Sequence, residues 1–226
     1  MKINEIFYSL QGEGFLAGVP SIFIRMAGCP LRCRWCDTKY AWNEGSGSEQ
    51  NIEEILNEVE KWSCRHIVIT GGEPMINPQL PELVRELKKE GKHITIETSG
   101  IAYMSDMPCD LMSISPKLSN SIPDNEKLMA IHENSRLDLA VLGELIDHYD
   151  YQLKFVIDNE YDLTEIEETL KHLGNVDPEK IMLMPQASTS DELIKKSHIV
   201  AELCKRTRYT FSQRLQVQLW NSKRGK

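Results

Sequence analysis

Residues 21–36 read Ser21-Ile-Phe-Ile-Arg-Met-Ala-Gly-Cys29-Pro-Leu-Arg-Cys33-Arg-Trp-Cys36, an apolar, β-rich run that leads directly into three cysteines. The cysteines have the spacing C-x3-C-x2-C. Thiolates are the usual ligands of iron–sulfur clusters, and three of them on one short loop can hold three corners of a cubane cluster. Three ligands for four irons leave one iron open to a small molecule. The stretch therefore predicts a reactive cluster at the end of a strand.

A zinc site is the alternative interpretation of this loop, with Cys64 or His66 as the fourth ligand. Zinc sites usually combine two C-x2-C pairs separated by a longer gap. This chain has one such pair, and its third cysteine lies too close, so the spacing favours a cluster. Cys64, Cys109 and Cys204 are scattered, and we expect them to be buried or inert because a disulfide framework needs an oxidising compartment.

The composition is typical of an ordinary globular domain. The 226 residues are 41% hydrophobic and 27% charged, which suits a single domain over residues 1–226. The formal net charge of -8 gives no basic footprint for nucleic acid. The first ten residues lack a long apolar run, and no stretch approaches membrane-spanning length. We therefore expect no signal peptide, no membrane contact and a cytoplasmic location.

Apolar β-rich runs alternate with amphipathic helical patterns along the chain. Capping boxes at Asn51 with Glu54 and at Thr189 with Glu192 mark two helix starts. The strands are predicted at 21–26, 67–70, 93–96, 111–114, 152–157 and 181–184. One helix is predicted to start at residue 51, and a second, which contains residues 80–87, is predicted to stop at 91. Further helices are predicted at 137–149, at 163–174 and at 189–206, with a loop and a short helix in 117–136. This alternation predicts an α/β fold of parallel βαβ units, a partial barrel with an open sheet.

Polar segments follow the predicted strands, where ligand sites lie in such folds. After the cysteine loop these segments are Gly71-Gly-Glu-Pro74, Glu97-Thr-Ser-Gly100, Ser115-Pro-Lys117 and Met184-Pro-Gln186. Glycines let a ligand approach the backbone closely, and carbonyls beside Glu73 can accept a hydrogen bond from an ammonium group. A plain turn with a helix starting at Pro74 is the alternative for the first segment.

The cysteine loop followed by Gly71-Gly-Glu-Pro74 resembles the radical S-adenosylmethionine superfamily. The resemblance implies a 4Fe–4S cluster on Cys29, Cys33 and Cys36, whose open iron chelates the amino and carboxylate groups of S-adenosylmethionine. Electron transfer then cleaves the sulfonium and yields a 5′-deoxyadenosyl radical. It also implies a partial (β/α) barrel of the radical S-adenosylmethionine type with reduced helix content.

Five further stretches are more specific. They are Ser9-Leu-Gln-Gly-Glu-Gly14, Phe23-Ile-Arg-Met-Ala-Gly-Cys29, Cys36-Asp-Thr38, Ile114-Ser-Pro-Lys117 and Trp220-Asn-Ser-Lys-Arg-Gly225. They resemble the 7-carboxy-7-deazaguanine synthase family over nearly the whole chain. That family rearranges 6-carboxy-5,6,7,8-tetrahydropterin to 7-carboxy-7-deazaguanine with loss of ammonia, in the biosynthesis of queuosine-type deazapurines. The resemblance implies a carbon–nitrogen lyase that regenerates S-adenosylmethionine and uses Mg²⁺ at the substrate carboxylate. It also implies an electron donor such as flavodoxin, and a homodimer.

The resemblance also assigns the site residues. S-adenosylmethionine is expected to contact Trp35, Cys36, Asp37, Gly72, Ser115, Pro116, Lys117, Met184, Pro185 and Gln186. The pterin substrate is expected to contact Leu10, Gln11, Gly12, Arg25, Thr70 and Lys226. Thr38 is expected to bind Mg²⁺, and no side chain is expected to be catalytic, because the radical forms on the cofactor.

Several of these residues also have a structural interpretation. Gln11 could lie in a solvated turn, Lys117 could be solvated, and Thr38 could be a turn hydroxyl although Mg²⁺ prefers oxygen ligands. Arg25 lies inside an apolar strand, where an unpaired charge is costly. A guanidinium facing a substrate carboxylate would explain it, and so would a structural ion pair. The six histidines show no metal-binding pairing, and we expect them to be exposed or satisfied.

Two other functions fit parts of the sequence. A glycyl-radical activating enzyme uses the same cysteine spacing on a protein substrate, but the Gln-Gly-Glu-Gly segment 11–14 and Thr38 favour the synthase. A non-catalytic iron–sulfur electron carrier is the other alternative. It needs neither an open iron nor a Gly-Gly-Glu strand end, so binding of S-adenosylmethionine distinguishes it from both enzymes.

Overall fold

One nine-stranded sheet runs through the computed structural model, which describes residues 1–174 and 176–226. In chain order its strands are β1 (Lys2–Leu10), β2 (Pro20–Met26), β3 (Ser48–Glu49), β4 (His66–Gly71), β5 (His93–Thr98), β6 (Leu111–Ile114), β7 (Tyr151–Ile157), β8 (Ile181–Pro185) and β9 (Thr210–Phe211). Their spatial order is β3-β1-β2-β4-β5-β6-β7-β8-β9.

The strands from β2 through β4 to β9 pair in parallel, whereas β1 pairs antiparallel with both β2 and β3. Strand pairing leaves the sheet open, and the segment after β1 reaches across to the far strands. The Gly14 N–H donates to Ser212 Oγ at 3.0 Å, and the Phe15 N–H donates to Gln152 Oε1 at 2.8 Å. The sheet therefore curls into a partial barrel, which confirms the predicted fold class.

Seven helices accompany the sheet in the described part of the chain. They are α1 (Ile52–Val59), α2 (Leu80–Lys89), α3 (Glu126–Glu133), α4 (Leu139–His148), α5 (Asp162–Leu173), α6 (Ser190–Thr207) and α7 (Leu215–Trp220). Most cover its outer face, whereas α3 lies against the cysteine loop and α7 against the cavity. Both predicted capping boxes are present, and in the first the Glu54 N–H donates to Asn51 Oδ1 at 2.9 Å. The described stretch 99–110 between β5 and β6 holds no helix. This is the reduced helix content that the resemblance implied.

The two faces of the sheet differ because side chains alternate along each strand. In β7, Leu153 and Phe155 point outward into the apolar core and are fully buried. Gln152 and Lys154 point inward, toward the axis of the barrel, and are equally buried. The inner face carries the polar groups of the site.

Four elements were not predicted from the sequence: β1, β3, β9 and α7. The register of β1 against β2 shifts between Ile3 and Glu5, and such a bulge breaks the period-two pattern by which strands are recognised. The other three elements are two, two and six residues long, too short to show a period. No helix in the described part of the chain is long and apolar enough to cross a membrane.

Candidate active site

A cavity of about 250 Å³ opens at the carboxyl ends of the parallel strands and extends into the barrel. Most of the residues assigned from the sequence line it. They are Leu10, Gln11, Gly12, Arg25, Cys29, Cys33, Trp35, Cys36, Asp37, Thr38, Thr70, Gly72, Ser115, Lys117, Met184 and Lys226. The cavity thus brings together residues from both ends of the chain.

Backbone hydrogen bonds hold the cysteine loop from two sides. The Cys29 N–H donates to the Trp42 carbonyl at 3.0 Å, and the Arg34 N–H donates to the Ser121 carbonyl at 2.8 Å. The Arg32 N–H donates to Nδ1 of His132 at 3.1 Å. These contacts fix the path of the loop between its cysteines.

His132 is fully buried in α3, and both of its ring nitrogens are bonded. Ser121 Oγ lies 2.9 Å from Nε2 and donates its own proton to the Leu118 carbonyl. The ring must therefore donate from Nε2 and accept at Nδ1, which defines one neutral tautomer. This agrees with the expectation of a satisfied histidine.

His66 and His93 depart from that expectation. Their rings stack with centroids 4.6 Å apart, and Nδ1 of each is buried without a hydrogen-bond partner among the described residues. His66 pairs in register with Ser21, at the start of β2, whereas the cysteine loop follows Met26 at its end. At about 3.3 Å per residue, this places His66 roughly 16 Å from the loop. Neither His66 nor the preceding Cys64 can complete a zinc site there.

The three cysteine thiols fit a cluster. Burial raises the pKa of Cys29 to about 12 and that of Cys33 to about 11, so bound iron would have to displace their protons. All three line the same cavity. Among the described residues, no three histidine, cysteine or acidic side chains converge on a single metal ion. Three thiols on one short loop that lines one cavity are a ligand set suited to an iron–sulfur cluster.

The Gly71-Gly72-Glu73 turn packs directly against the start of the cysteine loop. The Gly72 N–H donates to the Met26 carbonyl and the Glu73 N–H to the Gly28 carbonyl, both at 2.9 Å. A Cβ on Gly71 would lie 2.2 Å from the Met26 oxygen, and one on Gly72 would lie 1.9 Å from the Gly28 oxygen. Only glycine permits this approach, so the turn and the loop form one surface.

Glu73 is buried, and its carboxylate is fixed by its neighbours. It accepts from Thr98 Oγ1 at 2.7 Å, from the Ser99 N–H at 2.8 Å and from the Met75 N–H at 3.1 Å, and Ser99 Oγ also donates to it. The carboxylate lines the cavity and provides a fixed anionic wall beside the cysteines.

A second wall comes from the segment after β6. Lys117 Nζ donates to the Ser115 carbonyl and hydroxyl, each at 2.8 Å, and lies 5.6 Å from the centre of the Trp35 ring. The Trp35 Nε1–H in turn donates to the Asn120 carbonyl at 3.1 Å. Pro116 is buried between the two lining residues. Lys117 is therefore held in place and is not a freely solvated cation.

The end of β8 and the residue after it contribute less to the cavity lining than the sequence suggested. Met184 lines the cavity, but Pro185 and Gln186 do not. Pro185 ends β8 in register with Ile157. Gln186 Oε1 accepts from Lys196 Nζ at 2.7 Å, so this side chain points to the outer rim.

Arg25 forms the structural ion pair that was one interpretation of its charge. Its Nε donates to Glu5 Oε1 at 2.8 Å, and Tyr40 donates to the same oxygen at 2.9 Å. Arg224 donates to Glu5 Oε2 at 2.9 Å. The terminal nitrogens of Arg25 make no hydrogen bond to the described residues, and Arg25 lines the cavity. The ion pair therefore orients the guanidinium and leaves its outer edge free.

Sequence reasoning missed a polar network deeper in the barrel. Lys154, Glu13, Arg214 and Gln216 all line the cavity together with Gln11 and Glu97. Lys154 carries the same signal as Arg25, a charge inside an apolar strand, and that signal would have identified it. Glu13 and Arg214 lie in irregular segments, where no pattern indicates their partners.

The last two assigned residues of the loop lie beside this network. Asp37 Oδ2 accepts from Arg214 Nη2 at 2.8 Å. Thr38 lines the cavity, and its hydroxyl lies 3.6 Å from Cys36 Sγ. Within residues 1–174 and 176–226 this hydroxyl has no oxygen or nitrogen partner, so a ligand can bind to it.

Comparisons with known proteins identify the family to which the chain is similar. Residues 23–136 match the Radical SAM superfamily. The chain is 40% identical to a 7-carboxy-7-deazaguanine synthase of Halobacterium salinarum, covering 98% of this chain and 91% of the relative. It is 37% identical to that of Rhodopirellula baltica, covering 100% and 88%. The crystal structure of QueE from Escherichia coli superposes with a TM-score of 0.71 at 30% identity, covering 93% and 92%.

Proposed function

Because the chain belongs to the 7-carboxy-7-deazaguanine synthase family of radical S-adenosylmethionine enzymes, we propose that its cavity converts 6-carboxy-5,6,7,8-tetrahydropterin to 7-carboxy-7-deazaguanine with loss of ammonia. One observation carries the proposal: three cysteines of the cluster spacing and an arginine with a free guanidinium edge line the same cavity. When bound, the cluster and S-adenosylmethionine supply the radical that takes a hydrogen from the substrate. The protein residues bind and orient the cofactor and the substrate and enclose them in the cavity.

Two regions around the cysteines suit the cofactor. Cys29, Cys33 and Cys36 would hold three irons, as thiolates do in such clusters. The Gly72 backbone carbonyl would accept from the amino group of S-adenosylmethionine. The Glu73 carboxylate, whose two oxygens already accept four hydrogen bonds from Thr98, Ser99 and Met75, would supply a fixed negative charge beside it. The opposite wall, 115–117 with Trp35, offers an ammonium and an indole face to the rest of the cofactor.

Arg25 would bind the substrate carboxylate. A guanidinium matches a carboxylate with two parallel hydrogen bonds. The ion pair with Glu5 holds the Arg25 side chain in one conformation, in which the free edge of the guanidinium is available to substrate. Phe7 and Phe23, stacked with ring centroids 5.0 Å apart, lie on the same inner face and offer an apolar surface to the pterin ring. Thr70, at the end of β4 beside Arg25 in register, would also contact substrate.

The deeper network would read the aminopyrimidine side of the pterin. That ring offers N–H donors, and carboxylate and amide oxygens accept them. Gln11, Glu13 and Glu97 line this end of the cavity. Charge-assisted hydrogen bonds are about twice as strong as neutral ones, so these carboxylates would favour a 2-amino ring over its 2-oxo analogue.

Mg²⁺ would bind at Thr38. Magnesium prefers oxygen ligands and retains several waters, so one hydroxyl and a substrate carboxylate are a sufficient set. The support is local: Thr38 lines the cavity, and no described residue offers its hydroxyl an oxygen or nitrogen partner. We further propose a carbon–nitrogen lyase of one domain that works as a homodimer in the cytoplasm and accepts electrons from a donor such as flavodoxin, as expected from its family.

The test is anaerobic turnover. Reconstituted protein is incubated with S-adenosylmethionine, a chemical reductant, Mg²⁺ and 6-carboxy-5,6,7,8-tetrahydropterin, and products are identified by mass. We expect 7-carboxy-7-deazaguanine to form while S-adenosylmethionine is regenerated. Cys36→Ala should form none, and Cys64→Ala should match the wild type. Cleavage of S-adenosylmethionine without conversion of the pterin would refute the proposal and favour an activating enzyme instead.

A further inference from the structure

Lys154 is the most deeply buried charge on the inner face of the barrel. Its side chain is 1% exposed, and Nζ donates to Glu13 Oε2 and to Glu97 Oε2, each at 2.8 Å. Burying an ammonium group is costly unless it is paired and hydrogen-bonded. The two carboxylates come from opposite sides of the barrel, Glu97 from β5 and Glu13 from the segment that bridges the open side.

Glu97 has two donors besides Lys154, one on each carboxylate oxygen. Ser113 Oγ donates to Glu97 Oε2 at 2.9 Å, and Gln11 Nε2 donates to Glu97 Oε1 at 3.1 Å. These contacts restrict rotation of the Glu97 carboxylate. Glu97 is 18% exposed, and its exposed part faces the cavity.

Glu13 is held in the same manner. Gln216 Nε2 donates to Glu13 Oε1 at 2.6 Å, and Arg214 Nε donates to the same oxygen at 3.2 Å. Gln216 occupies the space of the absent side chain of Gly12, where a Cβ would lie 1.9 Å from Gln216 Oε1. The glycine in segment 11–14 therefore makes room for one of the groups that orient Glu13.

Five charged groups from separate elements face one another here. Glu13 and Glu97 are balanced by Lys154 and Arg214, and Asp37 of the cysteine loop bonds the far side of Arg214. Although burial raises the pKa of Glu13, the charges of Lys154 and Arg214 lower it to about 2. Burial lowers the pKa of Lys154, but the two carboxylates raise it further, above its usual value.

We propose that Lys154 is a positioning residue for the substrate, which holds the Glu13 and Glu97 carboxylates apart and aimed at the N–H donors of the pterin aminopyrimidine. This inference rests on the proposed function of the cavity. Without the ammonium, two carboxylates would share one buried site, and like charges in such a site make one of them take up a proton. A protonated carboxyl donates where the substrate needs an acceptor.

The experiment compares Lys154→Met and Lys154→Gln with Lys88→Met. Lys88 pairs with both oxygens of Asp110 at 2.7 and 2.8 Å on the outer side of the sheet, so this control removes a similar ion pair away from the cavity. Steady-state kcat and KM are measured from pH 5.5 to about 8.5, with the natural substrate and with its 2-oxo analogue. Cluster absorbance and substrate-free cleavage of S-adenosylmethionine show whether the cysteine loop and the cofactor site remain intact.

In the Lys154 variants we expect KM for the pterin to rise about tenfold or more, the effect of losing charge-assisted hydrogen bonds. Their kcat/KM should fall toward acidic pH, because the unpaired carboxylates take up a proton as pH decreases. Preference for the 2-amino over the 2-oxo ring should shrink. Lys88→Met and the wild type should show none of these changes, and cluster content and substrate-free cleavage should be equal in all proteins.

Three results would overturn the proposal. The first is a folded Lys154 variant with unchanged KM, pH profile and ring preference. The second is a variant whose sole change is a lower melting temperature. The third is failure of both variants to fold, which would make Lys154 a structural residue. A wild-type protein that leaves the pterin intact would instead refute the proposed function, and with it this inference.

Discussion

The outer and inner faces of the same strands obey different rules. In β7 the outward Leu153 and Phe155 pack in the apolar core, whereas the inward Gln152 and Lys154 each bond to the segment that follows β1, Gln152 to the Phe15 N–H and Lys154 to Glu13. An apolar contact is non-directional and shared among many neighbours, whereas a buried polar group needs each bond. The comparison teaches that stability and recognition are carried by alternate residues of one strand.

The energies of the two faces differ accordingly. Truncating a buried phenylalanine costs about 3–5 kcal/mol. Replacing a whole buried ion pair by apolar groups changes stability little, because desolvation offsets the attraction, but removing one partner leaves the other charge buried and unpaired. We therefore expect outward changes to alter unfolding alone, and inward changes to alter substrate handling as well as stability.

The largest effect on activity should come from a change in the cysteine loop. Cys33→Ala removes one corner of the cluster and should abolish the substrate-free cleavage of S-adenosylmethionine to 5′-deoxyadenosine. Cys204→Ala, a buried thiol of α6 on the outer face, should retain full cleavage. Chromatography of the nucleoside products measures both. Residual cleavage in Cys33→Ala would show that this thiolate is not a cluster ligand.

On the outer face, the largest loss of stability is expected from truncating Phe155. Phe155→Ala should lower the free energy of unfolding by about 3–5 kcal/mol, measured by chemical denaturation. In the protein that remains folded, KM for the pterin should stay within about twofold, since the side chain points away from the cavity. A KM change larger than its stability effect would contradict the separation of the two faces.

On the inner face, Arg25→Ala should raise KM for the pterin about 10- to 100-fold, the range for a lost charged hydrogen bond. Arg224→Ala is the matched control, because it removes the other partner of Glu5. If Arg25 acts only through its ion pair, the two variants would have equal KM values, and its assignment to the substrate carboxylate would be wrong.

A smaller effect should appear in acid. The pKa of Glu13 is about 2 in the folded protein, below its ordinary value near 4.5, so its contribution to stability is complete above about pH 4.5 and is lost as pH falls toward 2. Glu13→Gln should flatten the pH dependence of unfolding in that window. Glu53→Gln, exposed in α1, should leave it as in the wild type. An unchanged slope in Glu13→Gln would show that the carboxylate is not held ionised.

The smallest effect should come from Thr38. Thr38→Ala should shift the Mg²⁺ dependence of turnover to several-fold higher concentration, because water can replace one oxygen ligand of magnesium. Thr38→Ser keeps the hydroxyl and should restore the wild-type curve. Turnover is titrated with Mg²⁺ in all three proteins. Identical curves would remove Thr38 as a ligand.

The parallel strands from β2 and β4 to β8 and the cysteine loop were predictable because their signals are local. Each lies within one short stretch, as do the capping boxes at Asn51 and Thr189. The inner network was not predictable, because Glu13 and Lys154 are 141 residues apart and a contact of that span leaves no period in the chain. Arg25 was singled out from its strand, and its partner Glu5 was missed because β1 itself was missed.

The anchors of the cysteine loop have a consequence for the order of events in biosynthesis. The cysteines leave the ribosome early, but His132 and Ser121 emerge about a hundred residues later, and Arg214, which bonds Asp37, later still. In a nascent chain, the cysteines are therefore exposed before the residues that anchor their loop have been synthesised. We expect iron and sulfide delivery to succeed only after release, when translation has supplied the far half of the fold.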